Sequence, residues 1–183
     1  MKINKAMVLT WTGFQDQEVI YPYYRLLGAK FETIIIADQK DSLGKVYGIN
    51  GVGVPCSVVM SDFKKDIEQY LSNYDLLILP GGVKSLEKLR QETQILSFIS
   101  KWNKLGKVIA STCHGAQLLI SSKISHGRKI SGYYSIEDDI TNSGAIYLNM
   151  PVVIDDNIIS SPHYDFMGEW MEETLRIFQE KNN

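Results

Sequence analysis

An α/β protein, a mostly parallel sheet with helices on both faces, is predicted by three features of this chain. Its apolar runs are short, continuous and rich in β-branched residues, as in Met7-Val8-Leu9, Thr33-Ile34-Ile35-Ile36, Leu76-Leu77-Ile78-Leu79 and Val108-Ile109-Ala110. Such runs suit strands buried on both sides. Between them lie segments whose apolar residues recur at helical spacing. No repeat, low-complexity tract or linker divides the 183 residues, so one domain over 1–183 is expected.

The first apolar run, Lys5 to Thr10, is a strand that Gly13 breaks. From Gln15 a helix is expected through Val19, Ile20, Tyr23, Leu26 and Leu27, with Gly28 as its stop and Pro22 as a kink. Glu18 falls near the N-terminal end of that helix. Phe31 to Ala37 is a second strand, and residues 42 to 60, with four glycines, suit a small β excursion. One amphipathic helix is predicted over 62 to 73 with Asp62 as its cap. Asp75 to Leu79 is a third strand ended by Pro80-Gly81-Gly82, and a helix runs from Gln94 to Leu105. Then come the strand from Val108 and a helix closed by Ser125-His126-Gly127, where His126 suits a carbonyl cap. Short strands at Lys129 to Ser131, Ala145 to Leu148, Val152 to Ile154 and Ile158 to Ser160 follow, with a helix near Ile136 to Ser143. A last helix spans Phe166 to Glu180.

Composition narrows the function. With 44% hydrophobic and 22% charged residues the chain is an ordinary globular protein, and a net charge of −2 without like-charge runs leaves no footprint for nucleic acid or an anionic membrane. No apolar stretch approaches the roughly 20 residues that span a bilayer, and no leader is visible, so a cytoplasmic protein is expected. Its two cysteines, Cys56 and Cys113, have no metal-type spacing. A reducing compartment and a site without metal or cofactor follow as expectations.

The chemistry concentrates at Val108-Ile109-Ala110-Ser111-Thr112-Cys113-His114-Gly115-Ala116. A β-branched run ends in small residues and a cysteine, and a helical pattern resumes at once after a glycine. That is the layout of a nucleophile elbow with sulfur in place of the usual hydroxyl. The first amides of the helix point at the same space, so the thiol is expected to titrate well below about 8.5. In parallel α/β sheets ligands sit at the carboxyl ends of the strands. Glu18, Gly81, Gly82, Cys113, His114 and His163 should therefore share one rim.

Several motifs lie in order along nearly the whole chain: Phe14-x-Asp16-x-Glu18-x-Ile20-Tyr21-Pro22-Tyr23, Leu79-Pro80-Gly81-Gly82, Cys113-His114-Gly115-x-Gln117, Gly127-Arg128-Lys129, Asp138-Asp139 and Val153-x-Asp155-x-Asn157-x-x-Ser160-Ser161. Together they resemble the ThiJ/PfpI superfamily, on its PfpI-like side. The resemblance implies a flavodoxin-like sandwich, related to class I glutamine amidotransferases, that assembles as a homodimer or larger homo-oligomer. It implies that the elbow cysteine meets a protonated carboxyl group from the first helix, here Glu18, and that the amides of Gly82 and His114 form an oxyanion pocket. Tyr133 stands at the family's aromatic position. Glu87 resembles a residue that PfpI-like oligomers lend to a neighbouring subunit's site, and Cys56 lies in an excursion that the family sometimes uses at its dimer contact.

This sequence departs from the pattern in three places. Gln15 replaces a second acidic residue, Tyr134 replaces a proline, and Ser161-Pro162-His163-Tyr164-Asp165 is not the usual loop. That loop is similar to the His-x-Glu pair of glutamine amidotransferases. The activities the family implies are glutathione-independent glyoxalase, deglycation, intracellular proteolysis or amidase action, and redox-linked chaperoning. In the first two, Cys113 attacks a small 2-oxoaldehyde or a glycated group and Glu18 or a histidine moves the proton. Proteolysis needs His114 or His163 as base, and a redox role needs only oxidation of Cys113.

Overall fold

The structure, a computed structural model, describes residues 3–182. The chain begins with β1 (Lys5–Leu9), α1 (Asp16–Gly28) and β2 (Glu32–Ala37). The excursion follows as the antiparallel pair β3 (Lys45–Tyr47) and β4 (Gly53–Pro55), then the edge strand β5 (Val58–Val59). Next are α2 (Met60–Lys65), α3 (Ile67–Asn73), β6 (Leu76–Leu79), α4 (Val83–Leu89), α5 (Thr93–Lys104) and β7 (Val108–Thr112). The remainder is α6 (Ala116–Ser121), β8 (Lys129–Ile130), α7 (Glu137–Asn142), β9 (Ile146–Tyr147), β10 (Val153–Asp155), β11 (Ile158–Ser161) and α8 (Met167–Asn182).

Among the described residues the main sheet has seven strands in the order β10-β11-β7-β6-β1-β2-β5. Every pairing in it is parallel except β10 with β11, so the predicted α/β class holds and the sheet is flavodoxin-like. The order reverses at β1 and β6, which opens a crevice beyond their carboxyl ends. One face packs Val19 and Leu26 of α1 and Trp170 and Phe178 of α8. The other packs Phe63, Leu86, Phe98, Trp102 and Leu118. Each of these large buried side chains contributes about 1.5–3 kcal/mol by leaving water.

Four expectations need correction. The helix expected over 62–73 is two, broken at Asp66, and begins at Met60 with Val59 as cap. Asp62 sits inside its first turn and pairs with Lys65. The seven-residue helix α4 was not predicted, although Ser85, Leu86 and Leu89 mark its buried face. Finally α6 stops at Ser121, so His126 caps no helix, and its ring lies where a Cβ on Gly144 would sit.

Candidate active site

The elbow forms as the sequence requires. Cys113 has φ +55, a backbone conformation that costs a residue with a Cβ about 1–3 kcal/mol and clusters at functional sites. A short turn, Cys113–Gly115, leads into α6. Gly115 is obligatory, because a Cβ there would lie 2.2 Å from the carbonyl oxygen of Leu79. The elbow is thus pressed against the end of β6, where Gly81 and Gly82 turn. A Cβ on Gly81 would meet Glu18 Oε2 at 2.5 Å and Cys113 Cβ at 2.9 Å. Gly82, at φ +109, has no room for one either.

Glu18 reaches the same point from the first turn of α1 and is fully buried. Its Oε2 accepts the Gly81 amide at 2.6 Å, while Oε1 has no hydrogen-bond partner among the described residues. Pro22 lies four residues on and removes the amide that would bond the Glu18 carbonyl. Burial is the main cause that pushes Glu18 up to about 7, against the pull of the Gly81 amide and of the Cys113 thiol. Burial also pushes the Cys113 thiol far above its ordinary range, followed by the charge of Glu18 and opposed by the amides of His114 and Gly82. The low thiol pKa expected from the helix amides is therefore overturned: desolvation outweighs them. At neutral pH the thiol therefore keeps its proton and the carboxyl is about half protonated, where an exposed carboxyl would be ionised.

The amides of Gly82 and His114 do converge, but on the sulfur itself. The Gly81 amide is taken up by Glu18. His114 turns toward the thiol, with Nδ1 3.3 Å from Sγ, and its Nε2 lies 3.5 Å from Ser135 Oγ. Burial lowers the His114 pKa, and Asp139 opposes this. Which nitrogen carries the proton is set by the partner that accepts it.

Gln15, Glu18, Gly82, Val83, Cys113, His114, Tyr133, His163 and Tyr164 line one cleft of about 320 Å³. The structure thus brings together all the rim residues expected from the sequence, with Gly81 directly behind them. His163 Nδ1 lies 3.0 Å from Asp165 Oδ2 and 3.3 Å from the Asp165 amide, and its ring stacks on Tyr133 at 5.9 Å. Tyr133 also packs on His114 at 5.0 Å and donates its hydroxyl to Tyr134 at 2.8 Å. Glu87 is exposed on α4, outside the cleft lining. Asp16, part of the sequence motif, serves the fold: its carboxylate accepts the amides of Asn50 and Val52 and pins the β excursion. Sequence reading missed Ser135, Val83 and Tyr164, whose only local signal was proximity to residues already singled out. Among the described residues no group of His, Cys, Asp and Glu could hold a metal ion, and no helix is long and apolar enough to cross a membrane.

Fold and site define a flavodoxin-like protein organised around a buried cysteine and carboxyl pair. The chain belongs to the DJ-1/PfpI family, whose model matches residues 4–177. It is 33% identical over 175 residues to Deglycase PfpI of Pyrococcus furiosus, covering 96% of this chain and 99% of that one. A protein of Thermococcus kodakarensis also named a deglycase matches at the same identity and coverage. The solved structure of Schizosaccharomyces pombe DJ-1 superposes with a TM-score of 0.82 at 17% identity, over 96% of this chain and 97% of the other.

Proposed function

We propose that this protein is a cysteine-dependent enzyme that converts small 2-oxoaldehydes, free or carried as adducts on amines, into hydroxy acids. The observation that carries the proposal is the Glu18 carboxyl, buried beside Cys113 and poised near neutral pH. A base with a pKa close to the working pH combines a useful ionised fraction with proton affinity. The deglycase names of the two archaeal relatives support the same reading.

As the sulfur attacks the aldehyde carbon, its proton passes to Glu18 and on to the former carbonyl oxygen, which gives a hemithioacetal. Glu18 next removes the hydrogen on the carbon bound to sulfur, the hydroxyl proton on that carbon shifts to the neighbouring oxygen, and Glu18 returns its proton to the neighbouring carbon, which leaves a thioester of a 2-hydroxy acid. Water then cleaves the thioester and restores the thiol. The amides of Gly82 and His114 hold negative charge on sulfur whenever it is displaced. No cofactor enters the scheme. We also infer a homo-oligomer in which Glu87, exposed on α4, reaches a neighbour's cleft, an arrangement that light scattering and the Glu87→Ala variant test together.

A second reading, amide hydrolysis, is favoured by the 3.3 Å contact between His114 Nδ1 and the sulfur. Turnover of methylglyoxal, a glycated peptide and casein by the wild type, Cys113→Ala, Glu18→Gln and His114→Ala separates the two. The aldehyde mechanism expects methylglyoxal turnover that Glu18→Gln loses. Turnover retained in Glu18→Gln and abolished in His114→Ala would overturn it in favour of amide hydrolysis.

A further inference from the structure

The cleft holds far more space than a small 2-oxoaldehyde fills. At about 320 Å³ it matches the sites that bury a larger ligand, so the carrier of the aldehyde also finds room there. Beside Gln15, Glu18 and Val83 the carrier would meet a row of rings. Tyr134, Tyr133, His163 and Tyr164 form an unbroken series, with ring centroids 4.2, 5.9 and 3.8 Å apart along it. Tyr134 is 65% exposed and Tyr164 36%, which leaves ring surface open to a ligand. Two of the three departures from the family pattern, Tyr134 and the 161–165 loop, meet in this wall.

The polar groups around it include Gln15 and His114 of the cleft lining. Glu18 lies at the bottom against Cys113, the Asp165 carboxylate is 3.0 Å from His163, and the hydroxyl of Tyr133 is turned to Tyr134. Val83, exposed and apolar, also lines the cleft. A wall of ring faces with one carboxylate at its edge attracts cations, and planar cations more than compact hydrated ones. Guanidinium is weakly hydrated and stacks on aromatic faces, whereas an ammonium keeps its water.

Resting on the function proposed above, we propose that the aromatic wall makes arginine-derived adducts the preferred glycated substrates of this enzyme over lysine-derived ones. Addition of an aldehyde to a guanidine nitrogen leaves a flat, delocalised cation, which the wall receives. In the exchange step the carbon to nitrogen bond breaks as the carbon to sulfur bond to Cys113 forms. The thiol proton passes through Glu18 to the leaving nitrogen, so arginine departs intact and the same hemithioacetal results. No oxidant or reductant is needed.

The test measures binding and turnover separately. Nα-acetylarginine amide and Nα-acetyllysine amide are titrated into the full chain by NMR, and release of each from its freshly formed methylglyoxal adduct is followed beside turnover of free methylglyoxal. Arginine is expected to bind about 3- to 30-fold tighter and its adduct to show a kcat/KM higher by a similar factor. Tyr164→Leu and Tyr134→Leu should each shrink that ratio toward one, and Tyr164→Phe should keep it. Equal binding of the two amides, or a ratio that Tyr164→Leu leaves intact, overturns the proposal while methylglyoxal turnover stands. Arginine preference in binding without turnover of any aldehyde would overturn the enzymatic reading instead, and with it the preference among substrates.

Discussion

Cys113 and Cys56 are buried to nearly the same degree, 7% and 5% exposed, and burial pushes both thiols up. In almost everything else they differ. Cys56 lies between β4 and β5 with Sγ 3.3 Å from the carbonyl of Val58, in the apolar layer under α1 and α8. It behaves as a small hydrophobe with a weak donor. Cys113 stands on a left-handed backbone at the switch point of the sheet, beside a carboxyl group, two amides and an imidazole. Burial alone therefore does not make a nucleophile. What separates the two is a carboxyl group within reach of the sulfur and an opening to the cleft.

The largest effect expected from this contrast is on turnover. Cys113→Ala removes the atom that forms the intermediate and should lower kcat/KM by on the order of 10³-fold or more. Cys56→Ala should leave it within about twofold and cost about 1–2 kcal/mol of stability through lost packing. A steady-state assay and a denaturant melt of both variants check the pair. Loss of activity in Cys56→Ala with the fold intact would end the distinction.

Gly115→Ala should be nearly as severe, and on stability. Its Cβ would collide with a backbone oxygen, which cannot swing away as a side-chain end can. A loss of about 3 kcal/mol, or failure to fold, is expected from overpacking at a fixed junction. Thermal melting decides it, and a melt within about 2 °C of the wild type would show that the elbow is not held against β6.

Glu18 sharpens the comparison through pH. Its carboxyl titrates near 7 when folded and near 4.5 when exposed, so the native state binds the proton more tightly. That contribution is complete below pH 4.5 and is lost as pH rises through about 7. The span corresponds to about 3 kcal/mol. Glu18→Gln, which cannot ionise, should therefore match the wild type near pH 4.5 and melt roughly 5–10 °C higher at pH 8. The wild-type kcat/KM on methylglyoxal should rise with an inflection near 7, because the carboxylate must be free to take the thiol proton. A melting difference that stays constant across this range would remove Glu18 as the titrating partner.

How far the sequence carried the site depends on the kind of signal. Gly81, Gly82, Cys113 and Gly115 were legible because sharp strand-to-helix turns restrict the residues that can make them. Continuous apolar runs located β1, β2, β6 and β7 for the same sort of reason. The thiol's electrostatics were not legible. Local sequence shows the amides that favour thiolate but not the desolvation that opposes them, since burial is set by α1 and β6 together. Likewise Ser135 reaches His114 across 21 residues of chain. The helix α4 escaped notice because seven residues give too few turns for a periodic pattern, and Asp66 interrupts a pattern that otherwise reads as one helix.

The smallest effect tests the glycines against one another. Gly28 closes α1 with nothing within 4 Å of the position a Cβ would take, and its φ is not in the left-handed region. There the residue contributes only flexibility to the unfolded chain. Gly28→Ala should then stabilise the protein by about 0.5–1 kcal/mol, seen as a rise of roughly 1–4 °C in Tm, with turnover unchanged. Gly115→Ala and Gly28→Ala add the same methyl group to the same fold and are expected to move stability in opposite directions. If Gly28→Ala destabilises as well, then α1 is strained along its length, and the position of Glu18 owes more to that strain than to the bond from the Gly81 amide.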